Sequence, residues 1–230
     1  MNQVGPSTIG GLASGAIYAL IALGYTMVYG VLRLINFAHS EIFMIGAFAG
    51  LFAIIQLGIT APLGGLALIG TLLLLFLAAM AASGGAAIVL ERVAYRPLRR
   101  RNSGRLAALI SAIGASIFLQ ELFALVIIPE VFDRPSQGRI QVPVPRLLER
   151  ETVFSIGNMD VRNDHLIIIV AAVIMMVLLD VFVNRTRIGR GIRATAQDPE
   201  TATLMGVDID KIIRTTFFVG GAMAGVAAVL

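Results

Sequence analysis

Cysteine is absent from this 230-residue chain, and charge is scarce. Without cysteine there is no disulfide and no thiolate-held metal. Only 14% of the residues are charged, against roughly 25% in a soluble domain. The charges are also clumped, and long neutral runs separate them. A soluble fold with one anchor is thereby excluded, and an all-α polytopic transmembrane bundle is expected. Lysine and arginine are missing from Met1–Gly10, so the basic n-region of a secretory signal peptide is missing too. The first apolar run is therefore read as a permanent span. Histidine is limited to His39 and His165, which hydropathy places on opposite sides. No catalytic constellation, phosphate-cradling Gly-Lys-Ser/Thr loop or metal cluster is legible.

What is present is apolar: 57% of the residues are hydrophobic. About six spans are expected. They lie within Val4–Leu32, Ile42–Thr60, Pro62–Leu90, Leu106–Ile128 and Leu166–Val183, with the last from near Thr215 to Leu230. Each of the first five approaches or exceeds the ~20 apolar residues that cross a bilayer. The third is long enough to tilt or break, with Ser83-Gly84-Gly85 as its natural weak point. The last, at 16 residues, spans only ~24 Å of helix, and no polar cap follows it. A free carboxylate inside hydrocarbon is costly, so further C-terminal spans of a longer protein are expected. The spacings Gly11-x-x-x-Gly15, Gly46-x-x-x-Gly50 and Gly221-x-x-x-Gly225 predict close helix packing. There is no convincing internal repeat.

Orientation follows from the arginines. Glu91–Arg105 carries six of them beside one acid, and Asn184–Arg214 carries six basic residues. Both segments are expected on the cytoplasmic side. Pro129–His165 carries five arginines and six acids and reads as an external loop spanning residues 129–165. The net charge of +4 reports this asymmetry, not affinity for nucleic acid. Alternation then puts the N-terminus outside and the Arg33 hairpin inside.

Within the basic segment 184–214, the run Asp198-Pro199-Glu200-Thr201-Ala202-Thr203-Leu204-Met205-Gly206 predicts a very short capped helix. Asp198 can accept from the first free amides. Pro199 suits the first helical position, and Gly206 supplies the left-handed stop. Such a helix, ~10 Å long, is unstable alone in water. It needs a partner or the flanking spans, which points to a docking element.

Two further groups are candidates for the route through the membrane. Arg33–Glu41 is compact and polar, with Asn36, His39 and Glu41 at its centre. It reads as a structural joint, as a proton relay through His39 and Glu41, or as a plain hairpin with a local His–Glu contact. Gln120 and Glu121 interrupt the fourth span, and an intramembrane carboxylate is a functional candidate by default. Asp180 reads as interfacial.

Four stretches together resemble the permease subunit of high-affinity branched-chain amino acid ABC importers, the LivH type. They are GLASGAIYALIALGYTMVYGVLRLINFAHSE (residues 11–41), ERVAYRPLR (91–99), LISAIGASIFLQ (109–120) and RTRIGRGIRATAQDPETATLMGVDIDKI (185–212). By the family pattern Glu200, Ala202 and Gly206 match the coupling loop seated in a cleft of the cytoplasmic ATPase, and Thr201 replaces an alanine. Ser40 stands where the family has glycine, a change expected to matter little. The resemblance implies a multi-pass permease in the bacterial cytoplasmic membrane, with no cofactor bound by this chain itself. It implies a homologous second permease subunit, two ATPase subunits that use ATP and magnesium, and a periplasmic or extracellular solute-binding protein. Leucine, isoleucine and valine are the implied solutes. Related permeases move urea, short amides or other amino acids. A proton-coupled secondary carrier is the reading from a different class.

Overall fold

The computed structural model describes residues 4–101, 103–132, 144–145, 147–156 and 159–230. Among them, six helices are long and apolar enough to cross a membrane. Helix α1 is Val4–Leu32, α2 is His39–Gln56 and α3 is Gly65–Leu90. Helix α3 runs without a break through a π-helical turn, Glu91–Tyr95, into the short α4, Arg96–Arg100. Helix α5, Arg105–Leu122, likewise continues through a π-helical turn, Phe123–Ile127, into α6, Ile128–Phe132. A two-stranded antiparallel hairpin follows, β1 (Thr152–Ile156) with β2 (Met159–Arg162), in register Thr152↔Arg162 and Ile156↔Met159. Then come α7 (Asn163–Arg185), α8 (Arg187–Gln197), α9 (Pro199–Leu204) and α10 (Ile209–Val229).

The two π-helical turns share a cause. Each ends two residues before a proline, Pro97 in one case and Pro129 in the other. A proline inside a helix has no N–H to give and its ring crowds the carbonyl four residues back. Widening the preceding turn relieves both defects and lets the helix go on.

Three sequence expectations are corrected here. Ser83-Gly84-Gly85 is no break: α3 is continuous across it. Ser83 is fully buried and donates to the Ile42 carbonyl at 2.9 Å, and Gly84 receives the ring of Phe218. The small residues there admit neighbours rather than weaken the helix. The last helix starts at Ile209, not near Thr215, because Asp208 caps it by accepting from the Lys211 amide at 3.0 Å. Its 21 residues span ~31 Å, which removes the shortfall computed from Thr215. The 129–165 segment begins inside α6 and contains the hairpin, so it is not loop throughout.

Helix α10 is the centre of the bundle and packs on α3, α1 and α2. The contact is backbone to backbone. A Cβ placed on Gly220 would lie 2.7 Å from the Gly24 carbonyl, and one on Gly24 would lie 2.6 Å from the Gly220 carbonyl. The second and third of the sequence's glycine pairs thus serve helix packing, since Gly46, Gly221 and Gly225 all meet α3 or each other. The first does not, for nothing lies within 4 Å of Gly11 or Gly15.

Candidate functional site

The basic segment folds as three capped helices in series. Thr186 opens α8, its hydroxyl accepting from the Gly189 amide at 3.0 Å and donating to the Phe182 carbonyl at 2.6 Å. That single side chain fastens α8 to the end of α7. Helix α8 is strongly amphipathic. Its buried Ile192 joins Ile212, Ile213 and Phe217 of α10 with Val28 and Val31 of α1 in one apolar cluster. Arg187, Arg190 and Arg193 face outward.

Asp198 is the pivot between α8 and α9. Its amide closes α8 by donating to the Ala194 carbonyl at 3.0 Å. Its carboxylate opens α9, accepting from the Glu200 amide at 3.0 Å and from the Thr201 hydroxyl. The Thr201 hydroxyl, the Glu200 amide and the charge of Arg33 hold the Asp198 carboxyl below the usual carboxylate range. Pro199 occupies the start of α9. The stop is a Schellman motif: Gly206 N–H meets Thr203 O at 2.9 Å and Val207 N–H meets Ala202 O at 3.0 Å. Gly206 has φ +82°, a region open to glycine at little cost.

The faces of α9 separate cleanly. Ala202 is buried at 4% exposure and packs the helix onto the bundle. Leu204 and Met205 project at 87% and 80% exposure, beside exposed Glu200 and Thr201. A groove of about 650 Å³ adjoins Met205, lined also by Arg187, Arg190, Lys211, Val207 and Ile212 among others. The two outward apolar side chains were not singled out from sequence. Their signal was an apolar pair just before the helix stop.

The joint between α1 and α2 is a packed structural corner. Asn36 is buried, and its Oδ1 accepts from the Ala38 amide at 3.2 Å and the Tyr95 hydroxyl at 3.0 Å. Tyr95 packs against Phe217, ring centroids 5.4 Å apart. His39 is the first residue of α2, buried, with its ring edge-on to Tyr25 at 5.7 Å. Glu41 accepts from Ser40 at 2.9 Å, and the His39 Nε2 has no hydrogen-bond partner. No hydrogen bond joins His39 to Glu41, so the local His–Glu contact is not formed. Two positions apart on a helix, their side chains diverge.

Two departures from the family pattern have the same effect. Ser40 gives a hydroxyl to Glu41, and Thr201 gives one to Asp198. Glycine and alanine have no hydroxyl to give, so neither bond could form with the family's residue in place. Gln120 and Glu121 do not join the corner. Ala108 of α5 lines a pocket with Leu34 and Tyr95, and Glu121 lies thirteen residues, ~20 Å, farther along the same helix. Gln120 is exposed and Glu121 half-buried.

Arginines tie the pieces together at this end. Asp210, in the first turn of α10, receives Arg96 at 2.8 Å and Arg99 at 2.5 Å. Arg99 also reaches the buried Glu91 at 3.2 Å. Arg33 has φ +52° and donates through one terminal nitrogen to the carbonyls of Ala196 and Gln197 at 3.1 and 3.0 Å.

Comparison with known proteins follows the same lines. The family model of the branched-chain amino acid transport system permease component matches residues 7–230. The chain is 42% identical over 229 residues to the high-affinity branched-chain amino acid transport system permease protein BraD of Pseudomonas aeruginosa, a match that covers 96% of this chain and 68% of BraD. To LivH of Escherichia coli it is 38% identical over 230 residues, with the same coverage. A probable LivH of Methanocaldococcus jannaschii is 23% identical over 221 residues, covering 95% of this chain and 63% of that protein. No solved structure matches. The chain belongs to the family of permease components of branched-chain amino acid transport systems.

Proposed function

We propose that this chain is the membrane-spanning permease subunit of an ATP-driven importer of branched-chain amino acids, working in the bacterial cytoplasmic membrane. The relatives BraD and LivH are named high-affinity branched-chain amino acid transport system permease proteins. The single observation that carries the coupling mechanism is α9. A six-residue helix, capped at both ends, presents Leu204 and Met205 outward at the arginine-rich end of the bundle. On the water-facing side of a membrane protein, such exposed apolar side chains call for a cover. Its occupant is a cytoplasmic ATPase subunit, one per permease chain. A second, homologous permease subunit completes the route, and a solute-binding protein delivers the amino acid from outside. ATP and magnesium act on the ATPase; this chain supplies docking surface and moving helices.

In this reading the ATPases close on ATP and displace α9. Asp198 anchors α9 to α8, and Ala202 seats it on the bundle. Motion therefore passes to the helices instead of being lost in a loose loop. Gly206 limits the helix, so that Leu204 and Met205 stay at its tip.

The test is leucine uptake into proteoliposomes holding the whole transporter. Gly206→Pro demands φ near −65° where the chain has +82°, and it deletes the amide that meets Thr203. Glu200→Arg reverses charge beside Asp198. Both variants are expected to insert normally, to lose uptake by at least about tenfold, and to shed the ATPase on purification. Normal uptake in both would sink the reading. Uptake of urea in place of leucine would keep the mechanism and change the solute. Uptake that needs no ATP and collapses with a protonophore would replace the importer with a secondary carrier.

A further inference from the structure

Arg33 is the one non-glycine residue with positive φ among the described residues. A left-handed backbone is unfavourable for a residue with a side chain, so something must hold it. Two things do. The Arg33 amide donates to the Tyr29 carbonyl at 2.7 Å, closing the last turn of α1. Its guanidinium then turns across to α8 and donates to the Ala196 and Gln197 carbonyls. Those are the last two carbonyls of α8, which have no partner inside their own helix. A cation at a helix C-terminus is also favoured by the helix dipole. The next residue is Asp198, the cap of α9, and the Arg33 charge reaches it. Arg33 stands 163 and 164 residues before its two acceptors. The bond therefore joins the end of the first span to the residue on which α9 pivots.

We propose that Arg33 is a positioning residue for transport: a strut that fixes α1 to the pivot of the coupling helix, so that displacement of α9 is delivered to the first span. This rests on the coupling reading of α9 given above. Apolar packing of Val28 and Val31 against Ile192 holds the two elements side by side. Packing of that kind lets helices slide, whereas two charge-assisted hydrogen bonds from one nitrogen fix the register. The guanidinium is exposed to water, so its value to overall stability is small, and its effect belongs to the working cycle.

The experiment measures leucine uptake and ATP hydrolysis together in proteoliposomes of the complete transporter. Arg33→Asn is the main variant, because asparagine tolerates the left-handed region and lacks the reach. It is expected to keep the ATPase on purification and to keep basal hydrolysis. Uptake per ATP is expected to fall by about tenfold, within the range of site-to-site couplings. Arg33→Lys, which keeps a charged donor, is expected to recover at least about half of the ratio, as a bond of this kind requires. Should Arg33→Asn fail to accumulate, Arg33→Gln replaces it and is read on the same ratio. A wild-type ratio in the asparagine or glutamine variant overturns the strut. So does an equal loss in the lysine variant, because a cationic donor of similar reach with the same backbone preference would then have failed to restore the link. Gly206→Pro serves as the control: if it abolishes uptake while Arg33→Asn changes nothing, the strut alone fails. If Gly206→Pro transports normally, the coupling reading itself has failed.

Discussion

Helices α10 and α7 invert what a soluble protein would do. Helix α7 is an almost unbroken run of isoleucine, valine, leucine and methionine, yet it lies on the outside, with Val170, Ile174, Val177 and Leu178 each more than half exposed. Helix α10 is rich in glycine and alanine, carries Asp210, Lys211 and Arg214, and lies at the centre. In water the opposite arrangement would win, because burial of leucine drives folding. In a bilayer the surroundings are as apolar as leucine, so burying a large side chain gains little. What holds helices together is close van der Waals approach, and small residues permit it. The centre of the bundle is thus chosen by thinness, not by hydrophobicity.

The contrast can be broken most severely at Gly221. A Cβ there would lie 2.7 Å from both the Ser83 carbonyl and the Ala87 Cβ, and neither can move without its helix. Gly221→Leu is expected to cost about 3 kcal/mol or more, seen as a large drop in melting temperature in mild detergent and in membrane accumulation. Gly24→Ala adds one methyl against the Gly220 carbonyl at 2.6 Å. About 1–3 kcal/mol is expected, read in the same melt. If either variant melted like the wild type, backbone contact would not be what places α10 at the centre.

Asp210→Asn probes the charged root of the same helix. Its carboxylate gathers Arg96 and Arg99 and is about one-third exposed. Solvent screening limits the loss to about 1 kcal/mol, and the melting temperature of the variant should depend less on salt than that of the wild type. A smaller and purely local effect belongs to Asp198. Its carboxyl is held below the usual range in the folded chain, so the cap is fully present above the unfolded pKa. It is lost as pH falls through the lower, folded value. Protection of the Glu200 and Thr201 amides, taken relative to their intrinsic exchange rate at each pH, is expected to fall only in that acid window, and a loss centred near neutrality would contradict the capping role.

The smallest effect is expected on α7. Val177→Ala removes volume from a face that meets lipid, and should stay within about 0.5 kcal/mol. A large loss of assembly from that substitution would mean that protein, not lipid, covers this face.

Much of this arrangement can be read from the residues in order. Six long apolar runs give six spanning helices, because a polar backbone in hydrocarbon has no other way to satisfy its hydrogen bonds. Asp198, Pro199 and Gly206 mark the start and stop of α9 within a residue, because capping acts over three or four neighbours and leaves a local signature. Helix α10 was harder: Asp208 is also a capping residue, but the charges at Asp210, Lys211 and Arg214 masked the start of the helix. Ser83-Gly84-Gly85 was ambiguous for a different reason. Small residues weaken an isolated helix and strengthen a packed one, and the neighbour decides which.

The sequence by itself determined the number of membrane helices, the bounds of α9 and the family of the chain, since each depends on local composition or on matched stretches. Tertiary structure alone decided that α10 is central, that His39 and Glu41 do not pair, and that Leu204 and Met205 face outward while Ala202 faces in. It alone joined Arg33 to carbonyls more than 160 residues away. The physical reason is that close approach, burial and a shared hydrogen bond are properties of pairs, and a pair distant in sequence carries no mark in either of its members.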